Sequence, residues 1–319
     1  MPQMSEEEMM IRKLQLILIV TLMMTACQSS AAPINPADPT VATGAVKVVA
    51  AETFLADIAQ NVAGTRLMVK ALMPIGVDPH SFEPTPQDVT LVADSTVLIV
   101  NGAEFEHFLE KLLQNAGGQR AVVEASAGLK SRQPSANEIL DDPHGDPHFW
   151  LDPNNVVTYV ENIRDALSKA DPDGAETYKA NAAAYIMKLE ELDRWIAEQV
   201  AQIPEADRLL VTNHESFGYY ADRYGFRIIG TIIPSVGTEA SPSAQQLAAL
   251  IDHIKASGAK AIFLETGTNP QLAQQVASET GAKVVTDLFT HSITEPSGRA
   301  PTYLDMMRFN TTAIVSALK

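Results

Sequence analysis

One long amphipathic segment, residues 172–203, constrains the fold of this chain more than any other feature. Its apolar residues recur at steps of three and four, the spacing of one face of an α-helix. They are Tyr178, Ala182, Tyr185, Leu189, Leu192, Ile196, Val200 and Ile203. Asp171 is placed to cap the start, and Pro172 suits the first turn. With no further Gly or Pro from Ala175 until Pro204, the pattern predicts a rigid helix of roughly 30 residues, about 45 Å long.

Strand and helix patterns alternate on both sides of this segment. Apolar runs without polar alternation, separated by helices, are typical of parallel strands covered on both faces. The predicted strands are 46–50, 67–72, 96–100 and 121–123 in the first half, and 209–212, 227–232, 261–264 and 283–286 in the second. The predicted helices are 54–62, 86–93, 104–114, 153–169, 216–224, 243–257, 270–280 and 302–318. The sequence therefore predicts an α/β protein of two similar lobes, each with a roughly four-stranded parallel sheet flanked by helices, joined by the long rigid helix.

The N-terminal residues have the composition of an export signal followed by a tether. Arg12 and Lys13 precede an apolar run at 14–24, which is too short to span a bilayer and is typical of a secretory signal. The run leads to Cys27, the only cysteine of the chain, in an arrangement that resembles a bacterial lipoprotein signal with Cys27 as the lipidation site. Residues 28–45, rich in Ala, Pro, Ser and Thr, indicate a flexible tether.

These patterns predict the domain organisation and the location of the protein. The predicted segments are a signal peptide at 1–27, a tether at 28–45, an N-terminal lobe at 46–170, a linker helix at 171–204 and a C-terminal lobe at 205–319. We expect an exported monomer held to the membrane by its lipid, on the outer side of the cytoplasmic membrane or in the periplasm. The excess of 39 Asp and Glu over 23 Lys and Arg argues against nucleic-acid binding, since it repels phosphate backbones.

Three of the histidines are placed where a cleft between two lobes would collect ligands. In parallel sheets, ligands bind beyond the carboxyl ends of the strands. His80 follows the second predicted strand, His148 precedes a helix capped by Asp152, and His214 closes the strand at 209–212. Imidazole is a common ligand of transition metals. Imidazoles in such loops are therefore suited to bind a metal.

The motifs around these histidines resemble those of the zinc- and manganese-binding solute-binding lipoproteins of bacterial ABC importers, the cluster A-I family. The shared motifs are Asp-Pro-His at 78–80 with Pro-Thr-Pro at 84–86, Asp-Pro-His at 146–148 with Trp-Leu-Asp-Pro at 150–153, and His214 with Tyr-Tyr at 219–220 and Tyr-Gly at 224–225. The resemblance covers nearly the whole chain from residue 46. It implies one transition-metal ion between two α/β lobes, held by two residues from each lobe.

The resemblance implies that His80, His148 and His214 are metal ligands. The position of His214 is Glu in relatives associated with manganese and His in relatives associated with zinc, so this sequence takes the zinc-type option, with Mn²⁺ as the alternative. Donor chemistry agrees, because imidazole suits zinc whereas manganese prefers oxygen. At the fourth position, where the family usually has Asp, this chain has His291. His291 is either the fourth ligand or a hydrogen-bonding neighbour of the site.

Four neutral imidazoles would leave the charge of a divalent ion uncompensated in the cleft. We therefore expect a carboxylate nearby, which either accepts a hydrogen bond from a ligand imidazole or replaces His291 as a ligand. Glu265, at the end of a predicted strand, is the first candidate, and Asp287 is the second. His144 lies in a loop that zinc-importing relatives often expand, and it is either solvated or an auxiliary residue for metal capture.

The sequence thus predicts a protein that is not an enzyme but captures a divalent transition metal, Zn²⁺ in the first place, and delivers it to the permease of an ABC transporter. One alternative is a metallohydrolase with a three-histidine zinc site, which needs an open coordination position that His291 would close. Another is a surface adhesin with a structural metal. Because the helix is unbroken, we expect metal release to move loops around His214 or His291 rather than to swing the lobes apart.

Overall fold

The computed structural model describes residues 46–132 and 145–319. The predictions for the signal peptide, Cys27, the tether and His144 lie outside these residues. The described chain forms two four-stranded sheets in which all paired strands are parallel. The predicted α/β fold of two similar lobes is therefore confirmed.

The N-terminal sheet has the strand order β2-β1-β3-β4. Its strands are β1 (Val48–Ala50), β2 (Val69–Ala71), β3 (Val97–Val100) and β4 (Ala121–Glu124). Its helices are α1 (Thr53–Ala63), α2 (Pro86–Ala93), α3 (Leu109–Ala116) and α4 (Pro153–Ala170). The two central strands, β1 and β3, are buried along their whole length, because helices cover both faces of a sheet of this kind.

The C-terminal sheet has the order β6-β5-β7-β8 and repeats the arrangement of the first. Its strands are β5 (Leu209–Thr212), β6 (Arg227–Thr231), β7 (Ala261–Glu265) and β8 (Lys283–Leu288). Its helices are α6 (Gly218–Tyr224), α7 (Ala244–Ser257), α8 (Gln271–Thr280) and α9 (Tyr303–Leu318). In both lobes the carboxyl ends of the strands lead into the loops that carry the histidines.

The long helix α5 (Ala175–Val200) joins the two lobes and packs against α1, α4 and α9. All eight apolar residues of the predicted stripe are buried. They belong to one hydrophobic cluster that also contains Phe54 of the N-terminal lobe and Tyr220 of the C-terminal lobe. The lobes therefore share a core. Neither α5 nor any other helix within residues 46–132 and 145–319 is long and apolar enough to cross a membrane.

The start of the long helix differs from the prediction. Residues Pro172–Gly174 form a 3₁₀ turn, and the α-helix begins at Ala175. Asp171 does not cap this helix. Its carboxylate instead accepts hydrogen bonds from Arg66, at 2.8 Å, and from the Tyr178 hydroxyl. Asp171 thus pairs with an arginine that is distant in the sequence and does not form the local helix cap that the sequence suggested.

The helix predicted at 104–114 begins only at Leu109. Ala103 and Glu104 have φ values of 54° and 57°, in the left-handed region that an α-helix does not use. The carboxylate of Glu106 folds back and accepts hydrogen bonds from the backbone N–H groups of Asn101 and Gly102, the latter at 3.2 Å. These bonds hold the residues after β3 as a loop.

Candidate metal centre

His80 lies in a short 3₁₀ turn, Pro79–Ser81, that follows β2. The Asp78 carboxylate accepts a hydrogen bond from the backbone N–H of His80 at 3.0 Å. A few residues later, Thr85 and Asp88 form a reciprocal capping box at the start of α2. The backbone that carries His80 is therefore fixed at both ends. Its ring is buried, and neither ring nitrogen has a hydrogen-bond partner among the described residues.

His148 lies at the end of the second Asp-Pro-His loop, immediately before the 3₁₀ turn Phe149–Leu151. Asp146 Oδ1 accepts the backbone N–H of His148 at 2.9 Å and contacts the ring Nδ1 atom, also at 2.9 Å. A carboxylate on Nδ1 fixes the ring orientation and leaves Nε2 as the donor atom for a metal. Trp150 is buried and donates from Nε1 to the Thr290 carbonyl of the other lobe at 2.7 Å.

The C-terminal lobe supplies His214, two residues after β5, and His291, three residues after β8. Glu265, the last residue of β7, lies between them. Its Oε1 atom is 2.7 Å from Nδ1 of His214, and its Oε2 atom is 3.8 Å from Nδ1 of His291. One buried carboxylate thus lies beside a ring nitrogen of each imidazole of this lobe, a position from which it can orient the rings and balance positive charge.

The four histidines meet in a single buried cluster. One possible ligand nitrogen from each ring lies within 4.8 Å of the others, and every pair of ring centroids is 5.1–5.6 Å apart. Nε2 of His148 and Nε2 of His214 are 3.3 Å apart. For comparison, nitrogens at 2.0–2.1 Å from a tetrahedral zinc ion are separated by roughly 3.3–3.4 Å. The cluster therefore offers nitrogen donors, and its closest pair of nitrogens has the spacing found at a transition-metal site.

Unpartnered polar atoms in the cluster also fit a bound ion. Among residues 46–132 and 145–319, buried Nε2 of His291 has no hydrogen-bond partner, and neither ring nitrogen of His80 has one. A buried polar atom without a partner is costly, and such atoms are rare in folded proteins. A metal ion would give these nitrogens a ligand bond. The geometry thus supports a cation at the centre of the four rings.

Burial and carboxylates set the protonation of the cluster. Burial lowers the pKa of His80, His148 and His291 well below 6.5, and the neighbouring histidines add to the effect. For His214 burial also acts to lower the pKa, but carboxylates, with Glu265 foremost, outweigh it and raise the pKa. Three rings are therefore neutral and ready to bind a metal near neutral pH. His214 is the ring that holds a proton most strongly.

A cavity of about 440 Å³ opens onto this cluster between the lobes. His291 and Glu265 form part of its wall, together with Asp78 from the N-terminal lobe and Thr238 and Glu239 from the C-terminal lobe. The Thr238 hydroxyl donates a hydrogen bond to Asp78 across the cleft. The wall of the cavity thus combines one histidine of the cluster with three carboxylates, whose negative charge attracts cations.

The two candidate carboxylates, Glu265 and Asp287, lie in different surroundings. Glu265 contacts the cluster, whereas Asp287 lies in β8 and pairs with Arg299 at 3.0 Å, with its side chain 47% exposed. The described contacts of Asp287 are with that arginine, not with the histidines. Sequence reasoning missed Asp146 as the partner of the His148 ring. Its place in the Asp-Pro-His motif was a signal, but Asp78 has the same place and contacts no ring nitrogen of His80.

Comparison with known proteins decides the family. Residues 48–317 match the family described as zinc-uptake complex component A, periplasmic (ZnuA). This chain is a member of that family. Family members are substrate-binding components of metal importers and not enzymes. The metallohydrolase alternative is therefore not supported, and the predicted absence of enzymatic activity is confirmed.

Curated relatives of this ZnuA-family protein have names that refer to different metals. It is 37% identical over 273 residues to the manganese-binding lipoprotein MntA of Halalkalibacterium halodurans, with 86% of this chain and 88% of the relative covered. It is 32% identical over 271 residues to the iron-binding protein YfeA of Yersinia pestis, with 84% and 85% covered. The family is thus established, while the zinc-type assignment is not confirmed by these names.

Solved structures confirm the two-lobe fold. The manganese-bound periplasmic metal-binding protein from Candidatus Liberibacter asiaticus has a TM-score of 0.77 at 29% identity, covering 86% of this chain and all of that one. The periplasmic zinc-binding protein TroA from Treponema pallidum has a TM-score of 0.77 at 27% identity, covering 86% of this chain and 99% of that one. Proteins described as binding manganese and zinc therefore share this fold.

Proposed function

We propose that this protein captures a divalent metal ion outside the cytoplasmic membrane and delivers it to the permease of an ABC importer. The observation that carries the proposal is the cluster of four buried histidines with ligand nitrogens within 4.8 Å of one another. Such a group is expensive to bury unless it binds something. Membership of a family of transport components supports the permease as partner.

We assign His80, His148, His214 and His291 as the ligands. Two come from each lobe, so the ion joins the lobes. Asp146 and Glu265 contact ring nitrogens, which leaves the other ring nitrogens for the ion. Their two negative charges balance the two positive charges of the ion. Four neutral imidazoles can therefore hold a divalent ion with its charge compensated, although no carboxylate binds the ion directly.

We assign Zn²⁺ as the preferred ion and Mn²⁺ as the alternative. An all-nitrogen donor set suits zinc, whereas manganese prefers oxygen donors. The 3.3 Å separation of the His148 and His214 Nε2 atoms matches the spacing of two nitrogens on one zinc ion. This assignment separates the protein from the relatives named for manganese and iron.

The remaining parts of the proposal concern anchoring and assembly. We propose that Cys27 is lipidated and that residues 28–45 tether a monomeric metal-binding unit to the outer side of the cytoplasmic membrane. We propose the limits 46–170, 171–204 and 205–319 for the N-terminal lobe, linker helix and C-terminal lobe. No described contact favours the adhesin alternative.

A competition titration of the chelator-stripped protein with zinc and manganese tests the assignment. We expect tight one-to-one binding of zinc, much weaker binding of manganese and a clear loss of zinc affinity in His291→Ala. His253→Ala is the matched control, because His253 is exposed on α7. Comparable manganese binding, or an unaffected His291→Ala variant, would overturn the zinc assignment. Absence of any metal binding would overturn the proposed function.

A further inference from the structure

A buried arginine connects the two lobes close to the metal centre. Arg132 follows β4 in the N-terminal lobe, and its side chain is only 5% exposed. Its Nε and Nη2 atoms donate to the two carboxylate oxygens of Asp222, at 2.8 and 3.1 Å. Asp222 belongs to α6 of the C-terminal lobe, the helix that follows His214. The planar guanidinium thus makes a two-point contact that lysine cannot reproduce.

The third nitrogen of the same guanidinium faces a residue that contacts a metal-site histidine. Nη1 of Arg132 is 4.0 Å from Oδ2 of Asp146, whose Oδ1 atom contacts Nδ1 of His148 at 2.9 Å. Asp146 is almost completely buried. The two oxygens of this carboxylate therefore face different groups, the arginine on one side and the imidazole on the other.

Neighbouring residues reinforce this contact. The Tyr219 hydroxyl accepts the backbone N–H of Arg132 at 3.2 Å and donates to the carbonyl of Asp146 at 2.8 Å. At Gly218, an added Cβ atom would lie 2.5 Å from Nη1 of Arg132 and 2.7 Å from Oδ2 of Asp146. Such distances are too short for a carbon atom. The close approach of arginine and carboxylate thus depends on the absence of a side chain at the start of α6.

We propose that Arg132 is a positioning residue for metal binding, which acts through Asp146 on His148. Its charge holds Oδ2 so that Oδ1 stays on the imidazole, and its contact with Asp222 makes this hold depend on the position of α6. Movement of α6 away from the N-terminal lobe would pull the arginine from Asp146 and loosen His148. The inference rests on the proposed function, because it concerns the retention of the same ion.

A purely structural role predicts a different pattern of effects. Asp222 has a 57% exposed side chain, and ion pairs with an exposed partner contribute little to stability. A stabilising salt bridge would therefore show itself, if at all, in the unfolding temperature. A positioning residue changes the coordination of the ion and the rate at which it leaves.

The test compares Arg132→Gln, Arg132→Lys and Asp222→Asn with the wild-type protein, with Co²⁺ and Zn²⁺ as probe ions. The measurements are the visible spectrum of the Co²⁺ form, the rate of Zn²⁺ release to a chelator and the unfolding temperature of the metal-free protein. For Arg132→Gln we expect an altered Co²⁺ spectrum and about tenfold faster Zn²⁺ release, the lower end of the effect of altering ligand-supporting residues. We expect Arg132→Lys to show a smaller change than Arg132→Gln, because lysine keeps a positive charge near Asp146 but loses the two-point contact with Asp222.

The other variants separate the two contacts of the arginine. Asp222→Asn keeps the approach of Arg132 to Asp146, so we expect at most about fivefold faster release. Gly218→Ala keeps every charge but inserts a carbon between Arg132 and Asp146, and we expect it to follow Arg132→Gln. If Arg132→Gln does not fold, Gly218→Ala still tests the contact between Arg132 and Asp146.

Either of two results would overturn the positioning role. One is a wild-type Co²⁺ spectrum and release rate in both Arg132→Gln and Gly218→Ala. The other is a change of unfolding temperature in these variants without a change of spectrum or release rate. Failure of the wild-type protein to bind either ion would instead overturn the proposed function, so the two failures are distinguishable.

Discussion

The two Asp-Pro-His loops, 78–80 and 146–148, have the same three residues but support their imidazoles differently. In both, the aspartate accepts the backbone N–H of the histidine, at 3.0 and 2.9 Å. Asp146 also contacts the ring of His148, whereas Asp78 accepts the Thr238 hydroxyl from the opposite lobe. The first loop therefore bonds to the opposite lobe, and the second orients an imidazole that we propose as a metal ligand. One local motif has two physical roles, decided by what packs against it.

The largest expected difference comes from removing each aspartate in turn. Asp146→Ala leaves Nδ1 of His148 without its carboxylate and removes a charge that balances the ion, so we expect zinc affinity to fall about 10–100-fold. Asp78→Ala is the matched control, because it removes bonds to a backbone N–H and a hydroxyl, and we expect a loss of less than about fivefold. Competition titrations measure both. Equal losses in the two variants would remove the distinction between the loops.

Glu265→Gln extends the comparison to the other lobe and gives a pH dependence. The raised pKa of His214 depends on Glu265, so in the wild-type protein a proton competes with the ion as pH falls through that pKa. The amide loses the charge that balances the ion, and we expect about tenfold weaker zinc binding at about pH 8. It also lowers the pKa of His214, so proton competition begins at lower pH.

The affinities of wild-type protein and Glu265→Gln should therefore approach each other as pH falls from about 8 to about 5.5. Zinc titrations across this range, with Glu239→Gln as a control for loss of an acidic residue in the cavity wall, provide the check. A constant ratio of affinities at all pH values would show that Glu265 does not control His214.

Thr238→Val tests whether the first loop closes the cleft. The substitution conserves size and removes the hydrogen bond from Thr238 to Asp78. We expect zinc association and dissociation each to become about threefold faster, with little change in affinity, as for the loss of one modest hydrogen bond. Stopped-flow mixing with a chelator measures both rates. A loss of affinity without faster association would assign Asp78 a role in binding rather than in access.

The smallest expected effect on metal binding comes from a buried carboxylate pair outside the cluster. Burial raises the pKa of Glu52 well above 4.5, with Glu106 adding to it, and burial raises the pKa of Glu106 to about 7. Because the pKa of these acids is higher in the folded than in the unfolded protein, their neutral forms stabilise the fold. This stabilisation is fully present below about pH 4.5 and is lost as the pH rises through about 7.

Glu52→Gln keeps one member of this pair neutral at every pH. We expect the metal-free variant to match the wild-type protein at about pH 5 and to exceed its free energy of unfolding by about 1 kcal/mol or more at about pH 8. Urea unfolding at both pH values measures this. Zinc affinity should be unchanged, and a difference that is the same at both pH values would contradict the assigned pKa shifts.

Local periodicity was enough to predict the fold, because the apolar stripe on α5 and the buried strands are patterns of residues that lie close together in the sequence. The errors arose where a carboxylate had a distant or backbone partner, as with Asp171 and Arg66, or Glu106 and the loop after β3. At the site, too, local patterns identified residues but not their distant partners. The structure brings together the four histidines, which lie in loops beyond strands, and Glu265, which ends β7. The ring support from Asp146 and the pairing of Asp287 with Arg299 depend instead on packing between elements.

The most direct test of the central claim is a crystal structure of the zinc-loaded protein with anomalous scattering recorded at the zinc edge. We predict one strong peak at the centre of the cluster, with a nitrogen of His80, His148, His214 and His291 as its four ligands and the carboxylates of Asp146 and Glu265 on ring nitrogens. A peak elsewhere, or a carboxylate oxygen in place of one of these nitrogens, would contradict the four-histidine site.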